Sequence, residues 1–340
     1  LMNVYTHKKI GLFTSPHILS PVERIQINFN PIPESILNKN IEIIQSISKK
    51  YHLKITYFET LTCAAFYYFS ENNVDWVILE TGLGGRLDAT NVVIPELCLI
   101  TRIDYDHTHI LGKNILKIAY EKFGILKKGI PYFISKQKFI VGLYHFFYSR
   151  IKKLFHKKKN KLKIEIKNNH YQLACKEHQI KFFGPSYGIE NFSLAFNAAK
   201  ILKIKFPSKF EFYHDLSGRF EIINKDNSTL IFDGAHNPIA AKALKKEIKI
   251  QFSQKKINFI FCTYADKDFK KIAQILNPVC KKWMIPNIQQ FAFQEIINYL
   301  KKKNYPYQLI DLDEIEFSTD EIYCVTGSIH LIGEVKKKLQ

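Results

Sequence analysis

Residues 76–91 read WVILETGLGGRLDATN, and this stretch decides the fold. Trp76–Leu79 is a continuous apolar run, which is typical of a strand buried on both faces of a parallel sheet. The run ends in Glu80, and a glycine-rich turn follows directly. Ligands of open α/β sheets bind beyond the carboxyl ends of the strands, so Glu80 is a candidate site residue. A carboxylate at this position suits a magnesium ion near phosphates, and the alternative is a structural loop capped by Asp88.

The rest of the chain alternates strands with helices, which indicates an α/β protein. Further strands are predicted at 9–14, 97–103, 132–135, 229–233, 258–262, 282–285 and 322–326. Helices are predicted at 33–51, 56–73, 114–128, 190–203, 269–276 and 293–303, and from 238 onward. The helix predicted at 56–73 begins with a capping box made by Thr56 and Glu59. We expect a first domain at 1–215 and a Rossmann-like domain at 218–340.

Length and composition fit two globular domains. The chain has 340 residues, of which 46% are hydrophobic, and a formal net charge of +19. A basic surface attracts polyanions, but the lysines are spread along the chain, so we favour a compositional bias over a nucleic-acid site. The six cysteines form no CxxC pair, and no apolar run reaches a membrane-spanning length. We therefore expect a cytoplasmic protein with reduced thiols and no membrane partner.

Other polar residues follow predicted strands or lie near them. Ser15 follows the first strand, Asp106 and His107 follow the strand 97–103, and Asp233 ends the strand 229–233. Each has a plain alternative: Ser15 in an ordinary turn, and His107 as a surface histidine. Lys122, in the helix after His107, has the alternative of a solvated helix lysine.

Several segments together resemble one family. They are GLFTSPHI, ERIQIN, TYFETLT, LETGLGGRLDATN, DHTHILG, EKFGILKKGIP, GRFE, DGAHNP, DKD and VTGS, in this order along the chain. This set is similar to the bacterial folylpolyglutamate synthases and dihydrofolate synthases of the Mur ligase superfamily. The resemblance implies a Mur-ligase-like ATPase domain followed by a Rossmann-like ligase domain. It also implies a monomeric enzyme that uses ATP and Mg²⁺ to join L-glutamate to dihydropteroate or a reduced folate through an acyl phosphate.

The resemblance also implies roles for single residues. Ser15 and Glu80 would hold a magnesium ion at the ATP phosphates, and Glu80 and His107 would share a second one. Lys122 matches a lysine that this family carbamylates, which turns a cation into a metal-binding carboxylate. The pterin pocket would be bordered by Tyr57, Phe58, Asp88 and Thr90.

The remaining implied roles concern the nucleotide and the amino acid. Asn191 would lie at the adenine, and Arg219 would reach the ATP phosphates. Asp233 and His236 would face ATP and glutamate, and Ser328 would help to bind glutamate. Catalytic roles are implied for Lys122, His107, Asp233 and His236.

Two features depart from the family pattern. A GxxGKGS phosphate loop is expected shortly before KKIGLFT, and these 340 residues contain no such motif. We therefore expect that an N-terminal piece with the first strand precedes Leu1, and that the chain alone is inactive. The alternatives are a degenerate folate-binding pseudoenzyme and another Mur-type amide ligase. The His-Gln pair that usually opens the helix of Asn191 is replaced by Tyr187 and Gly188.

Overall fold

The computed structural model describes residues 6–157, 162–167, 170–175, 177–225, 227–253, 255–288 and 290–339. The chain divides into two compact units. The first unit contains residues 1–164, 173–180 and 189–210, and the second contains residues 165–172, 181–188 and 211–340.

The first unit begins with a four-stranded sheet in the order β3-β2-β1-β4. Its strands are β1 (Ile10–Phe13), β2 (Ile25–Ile27), β3 (Asn30–Pro31) and β4 (Trp76–Leu79). Helices α1 (Glu34–Lys50) and α2 (Tyr57–Glu71) contribute Leu37 and Leu61 to the core that Phe13 and Ile25 form. The predicted capping box at the start of α2 is present. β1 and β4 are parallel, so their carboxyl ends lie at the same edge of the sheet.

β4 differs from its prediction in burial. Val77 is 40% exposed and Ile78 is 42% exposed. Among the described strands, β4 pairs only with β1. It is therefore an edge strand, and a neighbouring strand contributes side chains next to it on its β1 side alone. The predicted burial of both faces is therefore wrong, whereas the predicted parallel pairing is confirmed.

A second sheet of the first unit has the order β5-β6-β7 and is parallel throughout. Its strands are β5 (Cys98–Ile100), β6 (Pro131–Ile134) and β7 (Phe155–His156), and its helices are α3 (Thr108–Leu111), α4 (Ile115–Phe123) and α5 (Phe139–Ile151). The core contains Ile118, Phe123, Tyr132 and Val141. Strands β1–β4 and strands β5–β7 thus form two separate sheets, because no described strand joins β4 to β5.

The chain between these sheets and the last domain forms a smaller sheet and a helix. The sheet has the order β11-β10-β9-β8. Its strands are β8 (Lys163–Lys167), β9 (His170–Ala174), β10 (Gln179–Phe183) and β11 (Lys209–Tyr213), and the helix is α6 (Gly188–Ile201). The hydrophobic period of residues 161–183 is close to two, which predicts a small β region. This region and the predicted helix at 190–203 are both present, apart from residues 161, 168, 169 and 176, which lie outside the described residues.

The second unit contains a six-stranded sheet in the order β12-β13-β17-β14-β15-β16. The strands are β12 (Arg219–Lys225), β13 (Ser228–Asp233), β14 (Ile257–Phe261), β15 (Cys280–Pro286), β16 (Tyr307–Ile310) and β17 (Ile322–Thr326). All neighbours are parallel except β12, which runs antiparallel to β13. The helices are α7 (Pro238–Gln251), α8 (Phe269–Leu276), α9 (Phe293–Lys302) and α10 (Ile329–Leu339). The fully buried strands β14 and β17 are mostly apolar, as expected for a Rossmann-like sheet.

Candidate active site

Ser15 and Glu80 meet at the carboxyl edge of the first sheet. They follow the two parallel strands β1 and β4, and the backbone N–H of Ser15 donates to Oε2 of Glu80 at 2.9 Å. The backbone N–H of Glu80 donates to the carbonyl of Phe13 at 2.9 Å. A residue with a hydroxyl and a residue with a carboxylate therefore lie side by side. Such oxygen ligands suit Mg²⁺, and the metal role of this pair stays a prediction.

Arg24 lies close to the same carboxylate and received no role from the sequence. Its Nε donates to Nδ1 of His17 at 2.9 Å, and its guanidinium lies 5.8 Å from the centre of the Tyr57 ring. Burial lowers the pKa of Arg24, while the charges of Tyr57, Glu23 and Glu80 act in the opposite direction. The only sequence signal for Arg24 was its place in the segment ERIQIN.

Asp88 organises the loop that follows Glu80. Its Oδ2 accepts a hydrogen bond from the N–H of Leu83 at 2.8 Å. Its Oδ1 accepts from the N–H of Thr90 at 3.0 Å and from the Thr90 hydroxyl at 2.6 Å. Both side chains are buried, so Asp88 caps the short helix Ala89–Val92 and shapes the loop. This arrangement fits the structural alternative, and contact of either residue with a pterin stays a prediction.

Replacing Asp88 with alanine is expected to destabilise this loop. The change leaves two backbone N–H groups and one hydroxyl without their acceptor, so the free energy of unfolding should fall by about 2–3 kcal/mol. Thr90→Val removes only one of the three bonds and should cost about 1 kcal/mol. Urea unfolding of both variants measures the difference, and equal stability of Asp88→Ala and wild type would contradict this account of the loop.

The loop is fixed to helix α4 by Arg86. Nε of Arg86 donates to the Glu121 carboxylate at 3.2 Å, and Nη2 donates to Oε1 at 3.0 Å. The Arg86 N–H also donates to the Glu121 carbonyl at 2.8 Å. A Cβ on Gly85 would lie 2.9 Å from that carbonyl, and one on Gly124 would lie 2.3 Å from Cβ of Arg86. Only glycines permit so close an approach, which explains two glycines of the matched motifs.

Lys122 lies on α4 next to this anchor and is half-buried. Burial lowers the pKa of its amine, and the nearby Asp106 and Asp88 carboxylates oppose the shift. This setting does not fit a fully solvated helix lysine. His107 precedes α3 with a φ of 48°, and its N–H donates to Oδ1 of Asp106 at 2.8 Å. The loop of Asp88, the loop of Asp106 and the amine of Lys122 are thus electrostatic neighbours.

The predicted pterin-side aromatics have different surroundings. The Phe58 ring lies 5.7 Å from that of Phe13, and a Cβ on Gly82 would come within 2.5 Å of Phe58. The Phe58 ring therefore packs directly against Gly82 in the glycine-rich turn. Tyr57, the first residue of α2, is exposed.

The predicted metal ligands do not form a cluster of the usual residue types. In the part of the chain that the structure describes, no group of three or more His, Cys, Asp and Glu side chains is arranged to hold a metal ion. The predicted set draws on a serine and a modified lysine besides Glu80 and His107, so it stays a prediction.

Asp233 occupies the carboxyl end of β13 in the second unit and is buried. Its Oδ2 accepts a hydrogen bond from the Tyr187 hydroxyl at 2.8 Å, and its Oδ1 accepts from the N–H of Ala235 at 3.0 Å. Burial raises the pKa of Asp233 to about 6, although Tyr187 and Arg219 favour its ionised form. The residue that replaces the family's histidine at position 187 thus bonds directly to a predicted site carboxylate.

The other predicted residues of the second unit lie in the turns at the same strand ends. Nδ1–H of His236 donates to the Gly234 carbonyl at 2.9 Å, and Asn237 caps α7. A Cβ on Gly234 would lie 3.3 Å from Nη1 of Arg219, so the guanidinium approaches this turn. Ser328 is buried, and its hydroxyl accepts from the N–H of His330 at 3.1 Å.

Asn191 is the remaining residue with a predicted nucleotide role. Asn191 lies exposed on α6 in the first unit, and its predicted adenine role stays a prediction. Thr263, which follows β14, is buried with a hydroxyl that has no hydrogen-bond partner in the described structure. No role was predicted for Thr263, because a threonine after a strand carries no distinctive signal.

Asp233 is expected to limit stability at neutral pH. Its pKa is about 6 in the folded state against an ordinary 3.8, so the folded state binds this proton more tightly than the unfolded state does. Stability should therefore fall as pH rises from about 4 to 6, by at most about 3 kcal/mol. Asp233→Asn should remove this loss and be more stable than wild type at mildly alkaline pH. Thermal unfolding across this range tests it, and an Asp233→Asn protein that keeps the same pH slope would contradict it.

Comparisons with known proteins agree with this architecture. Residues 218–323 match the family described as Mur ligase, glutamate ligase domain. The dihydrofolate synthase/folylpolyglutamate synthase of Buchnera aphidicola subsp. Schizaphis graminum is 31% identical over 309 residues, which cover 87% of this chain and 71% of the relative. The Bacillus subtilis protein of the same name is 29% identical, over 97% of this chain and 84% of the relative.

Solved structures show the same similarity. The Thermotoga maritima folylpolyglutamate synthase superposes with a TM-score of 0.83 at 27% identity, covering 98% of this chain and 83% of its own. The bifunctional Yersinia pestis folylpolyglutamate synthase/dihydrofolate synthase, complexed with AMPPNP and a Mn ion, gives 0.79 at 25% identity over 99% and 83%. The fold and these matches define a Mur-type ligase. The chain belongs to the dihydrofolate synthase/folylpolyglutamate synthase family.

Proposed function

We propose that this protein is an ATP-dependent ligase that adds L-glutamate to dihydropteroate, to reduced folates, or to both. The γ-phosphoryl group of ATP passes to the substrate carboxylate, which gives an acyl phosphate and ADP. The glutamate nitrogen then attacks the acyl carbon, the carbon–oxygen bond to phosphate breaks, and the nitrogen loses a proton. Family membership supports this reaction, as does the nucleotide and metal complex of the Yersinia pestis relative.

The contact between Ser15 and Glu80 carries the proposal. It joins two residues that are 65 positions apart at the carboxyl ends of two parallel strands. Phosphoryl transfer depends mainly on positioning and on neutralisation of charge, so an oxygen-rich corner at a sheet edge is the feature it requires. The backbone N–H of Ser15 holds the Glu80 carboxylate at this edge, next to a residue that carries a hydroxyl.

The donor set at this corner fits Mg²⁺. A carboxylate from Glu80 and a hydroxyl from Ser15 are hard oxygen ligands, and Mg²⁺ typically takes one or two protein oxygens while keeping waters and phosphate oxygens. Bound there, the ion would neutralise charge on the phosphates. His107 would supply a further ligand from the neighbouring sheet edge. Arg24 places a second positive charge near Glu80, where it would attract the carboxylate of a substrate.

Lys122 fits the chemistry of carbamylation. Its lowered pKa increases the share of neutral amine, which is the form that attacks carbon dioxide. The neutral amine releases one proton when the nitrogen–carbon bond forms, so conversion of the protonated lysine to the carbamate releases two protons and leaves a carboxylate in place of a cation. This change inverts the charge next to Asp88 and Asp106, so the product needs a nearby cation to remain stable. That requirement links Lys122 to the proposed magnesium site.

The second unit would bind the remaining groups. Arg219 carries a guanidinium at the turn after Asp233 and would contact the ATP phosphates. Asp233 and His236 hold that turn in shape and would face ATP and glutamate. Ser328 would assist with glutamate, and Asn191 of the first unit would contact adenine.

Product formation by the complete gene product tests the function. We expect ADP release that requires L-glutamate together with dihydropteroate or tetrahydrofolate, and a pterin product heavier by one glutamate residue. Pterin binding without ADP release would support the pseudoenzyme instead. ADP release with a peptidoglycan precursor and not with pterins would assign another Mur-type ligase.

A further inference from the structure

Helix α5 exposes an apolar face that the ligase reaction does not explain. Its other face packs on the second sheet, where Val141 is fully buried and Tyr132 Oη hydrogen-bonds to Nε2 of His145 at 2.8 Å. The exposed face includes Phe139, which is 85% exposed, and Ile151, which is 78% exposed. The large apolar residues exposed on this face are Phe139, Ile140, Leu143, Phe146, Phe147 and Ile151.

These six residues, here called the α5 face, form one contiguous surface. Their spacing places them within about 140° around the helix axis, while Val141, His145 and Tyr148 lie outside this arc toward the other side. Single exposed apolar residues are ordinary, but a continuous apolar patch marks an interaction site. Phe155, exposed on β7, adds another aromatic ring in the chain that follows.

The chain around the α5 face is strongly basic. Residues 122–164 contain 13 Lys and Arg and not one Asp or Glu. Arg150, Lys152 and Lys153 are exposed at the carboxyl end of the helix. The Arg150 guanidinium lies 4.0 Å from the centre of the Phe146 ring, so this cation lies over the apolar face itself. Arginine and lysine can place their stems on apolar surface and their charges in a polar interface.

We infer that the α5 face docks on an anionic lipid bilayer, with the helix lying in the interfacial plane. An apolar helix face with basic residues at its rim is the pattern of interfacial helices, and anionic lipids complement its charge. A second copy of this chain would bring a net charge of +19 and the same basic segment against itself. Nucleic acid would match the charge but would leave the aliphatic Ile140, Leu143 and Ile151 without apolar partners.

This docking differs from membrane spanning. The helix has 13 residues, whereas a span needs about 20, and no described helix is long and apolar enough to cross a bilayer. The sequence-based expectation of no membrane partner considered only the length of apolar runs. A surface-bound helix needs one apolar face and basic flanks, which that criterion does not detect.

Vesicle sedimentation tests the inference with the full chain. We expect binding to vesicles of equimolar phosphatidylglycerol and phosphatidylcholine, and much weaker binding to phosphatidylcholine alone. The triple variant Phe139→Ser, Phe147→Ser, Ile151→Ser should lose about a hundredfold or more in partition coefficient, because three large apolar side chains no longer enter the interface. Arg150→Gln, Lys152→Gln, Lys153→Gln should lose about a hundredfold, since each basic residue near the surface contributes about fivefold.

Matched controls distinguish binding through the α5 face from nonspecific adsorption of other exposed apolar side chains and from the effect of net charge. Phe29→Ser, Leu53→Ser, Leu309→Ser removes three exposed apolar side chains elsewhere, and Lys301→Gln, Lys302→Gln, Lys303→Gln removes three exposed charges at the end of α9. Both controls should bind vesicles like wild type, and circular dichroism should show that all variants are folded. Equal loss in the controls, no binding to anionic vesicles, self-association that depends on the α5 face, or a preference for RNA over vesicles would each overturn the inference.

Discussion

Replacing Glu80 with glutamine is expected to lower kcat of the complete gene product by about a hundredfold to a thousandfold. The amide keeps the size of the side chain and can still accept a hydrogen bond from the N–H of Ser15. It removes the negative charge that would hold Mg²⁺ at the phosphates. The loss should therefore appear in turnover while thermal stability stays near that of wild type. Steady-state ADP release with saturating dihydropteroate and glutamate measures it.

Glu71→Gln provides the matched control for that experiment. Glu71 is an exposed carboxylate at the end of α2 and should tolerate the same change without loss. Raising the Mg²⁺ concentration should partly restore Glu80→Gln, because the weakened site then fills by mass action. Activity of Glu80→Gln within a few-fold of wild type would contradict the proposed metal role.

Replacing Lys122 with alanine is expected to cause a loss of similar size, about a hundredfold or more. The proposed carbamate would supply a negative oxygen ligand from a side chain that is otherwise a cation. If so, wild-type activity should depend on bicarbonate, and depleting carbon dioxide should reduce it reversibly. Activity should also fall at lower pH, since protonation of the amine removes its reactive form.

Lys128→Ala serves as the control for Lys122, because Lys128 is exposed a few residues later. It should keep full activity and the same response to bicarbonate. A short carboxylic acid such as acetate should partly restore Lys122→Ala by filling the space of the missing carbamate. A wild-type enzyme that is indifferent to carbon dioxide, together with an active Lys122→Ala, would exclude the modification.

Elements that depend on short-range sequence patterns could be predicted from the sequence alone. The capping box of Thr56, the helix that begins at Pro238 and the strand Ile322–Thr326 follow from short-range patterns, and the structure contains all three. The contact of Ser15 with Glu80 could also be anticipated. Both residues follow strands, and parallel strands end at the same edge of a sheet.

Other features depend on tertiary structure and could not be predicted from local sequence patterns. Helix α5 was missed because its sequence, FIVGLYHFFYSRI, is apolar on nearly every side and shows no polar face of period 3.6. The exposure of β4 depends on which strands lie beside it. The contacts of Arg86 with Glu121 and of Tyr187 with Asp233 join distant positions, and nothing in the segments of Glu121 and Tyr187 indicates these partners.

Oxygen transfer from substrate to phosphate tests the central claim most directly. Dihydropteroate labelled with ¹⁸O in its carboxylate is incubated with the complete gene product, ATP and L-glutamate, and the inorganic phosphate is analysed by mass spectrometry. An acyl phosphate keeps one carboxylate oxygen on the phosphate when the glutamate nitrogen displaces it. The account predicts one labelled oxygen in each phosphate released with product, and product formed with unlabelled phosphate would contradict it.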